Sequence, residues 1–433
     1  MSRTIAPVDH AAIDQVLDCH LENGASSAKR RRALQLPWAR LKSRALRRRV
    51  VRWILGFVFR SAESTLAGVG QVHLANIHRI LVLRPNHRLG NTLLLTPLIA
   101  ELEHTLPGAE IDVLVAGPAA QEALGSFFAL RRIHPLPRYI VRHLITTARM
   151  IATMRKTRYD LAIDPSAGSL SSRLLLAWIK PRFAIGVPDT QLQGDSTWAR
   201  VMFSAPRHLA KLPIFVLRHA LASSQTIDKV DYPGLNIRLT PVERHGGRRA
   251  LKTLIDLGGK GRRPTTVGIF ANASGGKCFS ETWWSAFLTT LAKNHPEYAI
   301  VEFVAMDGRS RLGGRFPTYY SSSPRKMASV MSSLTCFVSG DCGVMHLACA
   351  SEVPTVGLFS VTDLSMYEPY GHNNKGLRVE GKSPEQVAQT VARIVETLAC
   401  GGTIDPGMLD LAEPPSMASV DDAVDVLESQ AAR

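Results

Sequence analysis

The stretch Val338-Ser-Gly-Asp-Cys-Gly-Val-Met-His-Leu-Ala-Cys-Ala350 decides how this chain folds. Residues 336–338 form a short apolar run of strand character. Ser339, Gly340, Asp341 and Gly343 break that run, and residues 344–350 resume at helical spacing. Strand, tight turn and helix start is the reading. The first N–H groups of such a helix have no partner within it and lie at the positive end of its dipole, so the turn suits an anion such as a phosphate. Cys342 and His346 lie four apart on the predicted helix, but no further ligands accompany them and a zinc site is excluded.

Outward from this turn the chain alternates strands and helices. Downstream of residue 241, residues 266–270 and 299–304 read as strands, and 281–292, 326–333 and 384–398 as helices. Upstream, residues 80–83, 111–115, 159–164 and 183–187 read as strands. Residues 84–91 between them form a polar loop, and helices are expected over 92–106 and from about 171. Breakers near Pro233, Pro241 and Gly246-Gly247 separate the two cycles. The fold class expected is α/β: two Rossmann-like, doubly wound parallel-sheet domains facing a cleft. Ligands in such sheets bind beyond the carboxyl ends of the strands, which would gather Asn91, Asp164, Lys277 and Asp341.

At 433 residues and 45% hydrophobic, the chain has enough apolar material for two cores. The six cysteines include no C-x-x-C pair, which fits a reducing cytoplasm. The net charge of +16 is local: between Lys29 and Arg60 there are twelve Lys and Arg and no acid, leaving 40 basic against 36 acidic residues elsewhere. Trp38, Leu41, Ala45, Val50, Trp53 and Phe57 recur at helical spacing among these cations, as in an interfacial helix. This basic N-terminal helical arm suits an anionic membrane surface. RNA binding is the rival reading, but the aromatics sit on the apolar stripe and offer no evident stacking platform, so no nucleic acid is expected. Residues 50–59 are too few to span a bilayer, and the first residues do not form a secretory signal. The division expected is 1–76 arm, 77–240 first domain, 241–399 second domain and 400–433 acidic tail, with a short helix near 421–429.

Residues 338–371 resemble the C-terminal signature of glycosyltransferase family 9, the ADP-heptose:lipopolysaccharide heptosyltransferases. Asp341, Gly343, His346, Leu347 and Ala348, then Thr362, Asp363 and Gly371, stand at matching positions, with Ser360 in place of the usual glycine. The resemblance implies GT-B architecture with the first domain binding acceptor and the second binding donor. It implies inverting transfer of a heptose from an ADP-sugar to a lipid-linked saccharide such as the lipopolysaccharide core. It further implies a bacterial protein placed peripherally on the cytoplasmic face of the inner membrane. No cofactor or metal is called for, the nucleotide sugar being a substrate.

The same resemblance assigns candidate site residues. Lys277 matches a donor-phosphate lysine, Phe279 and Ser280 standing for the Trp and Pro that follow it in the family. Lys277, Ser274, Asp341, Cys342, Gly343 and His346 make up the implied phosphate site, and Asp307 the implied ribose contact. Gly275-Gly-Lys277 is not a P-loop, because Cys278 replaces the required Ser or Thr. Asn272-Ala-Ser274 fits the glycosylation triplet by chance in a cytoplasmic chain.

In the first domain Arg84, Gly90, Thr96 and Pro97 match, and Arg84, Arg88 and Gly90 belong to the acceptor loop. Asn91 stands where the family has its general-base carboxylate, and Asn86 replaces a second acid in a loop one residue longer. An amide cannot take a proton from a sugar hydroxyl, leaving His87 or Asp164 as alternative bases. Asp164 reads equally well as a cap for the following helix, and Asn91 as a partner that orients the acceptor. Three further functional readings therefore stand beside ADP-heptose transfer: a UDP-sugar transferase, a silent relative that binds nucleotide sugar or glycolipid without turnover, and an RNA binder acting through the arm.

Overall fold

The computed structural model describes residues 65–117, 119–137, 144–166, 169–188, 196–221, 231–257 and 265–405. The arm from Lys29 to Arg60 and the tail beyond residue 405 lie outside them. Two parallel sheets organise the described chain. The first holds β1 (Arg79–Arg84), β2 (Glu110–Ala116), β3 (Leu130–Leu136), β4 (Leu161–Asp164) and β5 (Phe183–Gly186) in the order β3-β2-β1-β4-β5. The second holds β6 (Thr266–Phe270), β7 (Ala299–Phe303), β8 (Thr318–Tyr319), β9 (Cys336–Gly340), β10 (Thr355–Phe359) and β11 (Lys375–Arg378) in the order β11-β10-β9-β6-β7-β8. Counted from each unit's own first strand, both sheets follow the Rossmann order and reverse direction at one point, between β1 and β4 and between β6 and β9. The α/β, two-sheet GT-B architecture expected from the sequence is therefore present.

The strands behave as their composition dictates. β1, β6, β7, β9 and β10 are apolar almost without interruption and buried along nearly their whole length, as parallel strands covered on both faces must be. Edge strand β3 departs from this pattern, and sequence reading missed it: Arg131 and Arg132 are exposed and Pro135 interrupts the run. Arg131 there pairs with Asp112 at 2.7 Å and Glu110 at 3.1 Å.

Two expectations need correction. The helix predicted over 92–106 is two helices, Leu89–Leu93 and Thr96–Thr105, because Pro97 lacks the N–H a continuous helix needs. The first begins inside the stretch read as loop, so Gly90 and Asn91 lie in a helical turn. Likewise Pro241 and Gly246-Gly247 break nothing: helix Pro241–Leu257 runs through all three. Thr240 and Glu243 cap it reciprocally, the Glu243 carboxylate taking the Thr240 N–H at 2.7 Å and the Thr240 hydroxyl the Glu243 N–H at 3.3 Å. Gly247 is small for packing reasons, since a Cβ there would stand 1.9 Å from the Ser329 carbonyl oxygen of helix Pro324–Met331.

The segment joining the units is bonded to both. Asn236 N–H donates to the Thr96 hydroxyl at 3.2 Å, and Ile237 N–H to the Ala350 carbonyl at 3.0 Å. Arg325 gathers the seam, donating to the carbonyls of Glu122 at 3.2 Å, Ile237 at 2.9 Å and Arg238 at 2.8 Å while pairing with Glu243. One buried apolar cluster crosses it, joining Leu98 and Leu217 of the first unit to Phe337 and Leu347 of the second. Among the described residues no helix is long and apolar enough to cross a membrane.

Candidate functional site

The reversal points bring together most of what the sequence singled out. Arg84 closes β1 and Asp164 closes β4, while Lys277 follows β6 and Asp341 follows β9. Asp307 follows β7, one strand away.

On the first unit Arg84 is the hub. Its Nη2 donates to Asn91 Oδ1 at 3.0 Å and its Nη1 to the Ser166 hydroxyl at 3.0 Å, while its buried Nε–H has no partner. Burial lowers its pKa, opposed by the nearby Asp164 carboxylate. The Asn91 oxygen is thus spent on Arg84. Asn86 orders the turn, its side-chain oxygen accepting the Arg88 N–H at 2.9 Å, which gives an amide a local reason to be there. His87 and Arg88 are exposed, His87 lying against Gly117 at the end of β2.

Asp164 is buried to 1% exposure, with both oxygens occupied. Its Oδ1 accepts the Ser166 N–H at 2.9 Å, and its Oδ2 pairs at 2.8 Å with Arg173, which is itself fully buried. Burial pushes the carboxyl up to about 6, with Arg173 and the Ser166 N–H pulling the other way. The group therefore organises the turn after β4 from a position closed to solvent. Arg173 escaped the sequence reading. A lone arginine in the apolar helix Leu170–Ile179 was the available signal, because a buried guanidinium must be paired.

On the second unit Asp341 is buried and ion-paired with Lys277, Nζ to Oδ2 at 2.5 Å. The carboxylate therefore fixes the ammonium, and a phosphate would meet the lysine and the helix rather than the acid. Ser274 is exposed and starts the single turn Gly275–Lys277. Asp307 is exposed and tied to Arg311 at 3.0 Å. Cys342 is the N-cap of helix Gly343–Ala350, with its sulfur 3.2 Å from the Ser339 hydroxyl; burial pushes the thiol up, so it stays protonated. Burial holds His346 down at about 4, opposed by Asp341 and assisted by Lys277, leaving a neutral ring at the mouth of the helix. Among the described residues no group of three or more His, Cys, Asp or Glu could share a metal ion.

Two features join the halves. Lys277 Nζ lies 5.3 Å from the ring centre of Tyr367, which also lies within electrostatic reach of Arg84. Tyr367, an aromatic in the turn between Asp363 and Pro369, was not singled out from sequence. The second feature is a bare backbone contact. A Cβ on Gly90 would stand 3.1 Å from the His346 ring and 3.2 Å from the Gly343 Cα, and one on Gly343 would stand 3.2 Å from the Gly90 nitrogen. The remaining signature residues lie in the seam: Asp363 caps helix Leu364–Tyr367 and pairs with Arg207 at 2.9 Å, while the Tyr370 hydroxyl donates to the Pro233 carbonyl at 2.8 Å.

Residues 325–395, which include the β9 turn, match the sequence model of glycosyltransferase family 9 (heptosyltransferase). The chain carries the family 9 signature. A search of curated proteins found no match. Solved structures agree on the architecture. A glycosyl transferase family 9 protein from Veillonella parvula superposes with a TM-score of 0.54 at 16% identity, over 83% of this chain and 98% of that one. The E. coli ADP-heptose lps heptosyltransferase II gives 0.53 at 16%, over 74% and 99%. The E. coli heptosyltransferase WaaC with ADP gives 0.52 at 17%, over 74% and 98%. The match to the family model is confined to residues 325–395, and the architecture is the one these solved structures share.

Proposed function

We propose that this chain is an inverting glycosyltransferase that moves a heptose or related sugar from an ADP-sugar to a lipid-linked saccharide such as the lipopolysaccharide core. The observation that carries the reading is the pairing of Lys277 with buried Asp341 beside the start of helix Gly343–Ala350. The proposed phosphate site is built from Lys277, Ser274, Cys342, Gly343 and His346, with Asp341 holding the lysine and Asp307 on the ribose side. As the glycosidic bond breaks, charge grows on the departing diphosphate, and preorganised donors aimed there typically contribute several kcal/mol. The acceptor hydroxyl would lie against Arg84 and Asn91, with Arg88 and His87 at the entrance. Peripheral membrane contact through Lys29 to Arg60 belongs to the same proposal.

One observation favours a second reading. The residue in the base position is an amide whose oxygen already accepts from Arg84, which suits a protein that binds nucleotide sugar without turnover. Calorimetric titration with ADP and UDP tests the donor side. ADP should bind more tightly than UDP, and Lys277→Ala should weaken it by about tenfold or more, as expected for loss of a charge-assisted contact. UDP preference would change the donor, and absence of binding to either nucleotide would end the transferase reading and favour a silent relative that binds glycolipid, or a protein acting through the arm.

A further inference from the structure

The outer face of the first unit carries a charge pattern that the cleft does not use. Helices Leu144–Thr157 and Leu170–Ile179 lie side by side on the first sheet, their inner residues Met154, Leu175, Leu176 and Ile179 packed with Leu81 and Leu83. Neither helix contains an acidic residue. Arg149, Arg155, Lys156, Arg158, Lys180 and Arg182 are all exposed, and none pairs with a described carboxylate. The acids of this stretch are spent elsewhere: Asp164 is buried on Arg173, and Asp160 accepts the N–H groups of His78 and Arg79 at 2.9 Å each. Two large apolar side chains stand among the cations, Ile145 at 70% and Trp178 at 50% exposure.

Helix-end electrostatics explain only part of this. Arg155 and Lys156 complement the last turn of their helix. Arg158 follows that helix directly and Lys180 is the C-cap of the other. That leaves Arg149 and Arg182 unaccounted for, and gives no reason for a half-exposed tryptophan. The basic stretch from Lys29 ends at Arg60, and Leu66, just beyond it, packs against the same cluster beneath these two helices. The described chain therefore begins beside the cluster that these two helices cover.

We infer that the outer face of helices Leu144–Thr157 and Leu170–Ile179 is a docking surface for an anionic phospholipid bilayer. Cations reach the headgroups while Trp178 and Ile145 enter the interface, the division of labour by which peripheral surfaces bind charged membranes. Laid flat, this face sets the carboxyl edge of the first sheet, and the cleft beyond it, beside the membrane plane rather than opposite it. The inference rests on this surface and not on the sugar-nucleotide reading.

The test is flotation of the full chain with phosphatidylcholine vesicles prepared with and without phosphatidylglycerol. The wild type should float only with anionic vesicles. The variant Arg155→Glu, Lys156→Glu, Lys180→Glu should bind them about tenfold more weakly or worse although the arm is intact, and Trp178→Ser should weaken binding without removing its salt dependence. Melting curves check folding, and the corresponding glutamine substitutions replace any reversal that fails to fold. Unchanged binding by the patch variants, or no binding by the wild type, overturns the inference. So does patch-dependent binding of double-stranded RNA without binding of vesicles.

Discussion

Asn91 concentrates the chemical question in one side chain. Its oxygen accepts from Arg84 and its NH2 is left to donate to an acceptor sugar, so the amide can orient a hydroxyl but cannot remove its proton. A carboxylate at the same position would inherit the Arg84 contact, which would keep it ionised. Asn91→Asp should therefore raise the rate of sugar transfer by about 10²- to 10⁴-fold if a base is what the site lacks. Release of nucleoside diphosphate from an ADP-sugar in the presence of acceptor measures it, and equal silence of both forms would leave the binding protein as the better reading. The substitution was legible in the sequence because a single residue type carries the role. Its partner was not, since nothing in the order of residues says that Arg84 and Ser166 will share a bond across two strands.

Local signals served well where they were self-contained. Ser280, Ser323 and Ser383 start the helices that follow them, and Ser383 with Gln386 forms a complete capping box. The same logic was present and unused at Thr240-Pro-Val-Glu243, where a proline suited to a first helical turn was read as a break. Gly247 misled for a different reason. Its smallness answers to Ser329, some eighty positions away, so only the folded packing explains it. Gly247→Ala should cost about 1–3 kcal/mol, at the upper end because the obstacle is main chain rather than a movable side chain. A drop of several degrees in Tm would show it, whereas Gly246→Ala, where nothing lies near the new methyl, should be neutral or mildly stabilising.

The two units share a seam that is partly polar and sensitive to acid. His208, in the segment preceding helix Lys211–Leu221, accepts the Ala210 N–H on Nδ1 at 3.1 Å and bonds through Nε2 to the Glu368 carbonyl at 2.9 Å. Burial holds it at about 4, with Lys211 and His346 also disfavouring charge. A histidine depressed in the folded state binds fewer protons than in the unfolded chain, whose histidines titrate near 6.5. Its contribution is therefore complete above that value and is lost as pH falls toward 4. Melting between pH 7 and pH 5 should show a larger fall in Tm for the wild type than for His208→Gln, in which that proton uptake is absent. At this scale the sequence conveyed two sheets and that Asn91, Asp164, Lys277 and Asp341 gather beyond the carboxyl ends of their strands. It did not convey that Asp363, Tyr370 and Gly371 would serve the join between units, because a motif does not state which neighbour it faces.

The meeting of Gly90 with Gly343 has a consequence for the protein's descent. Main chain rests on main chain beside the His346 ring, so every mutation at either glycine adds bulk that the facing element has to yield to. Neither glycine can be made smaller, so a lineage that altered the spacing of the two units would have to do it through the side chains and loops around this contact.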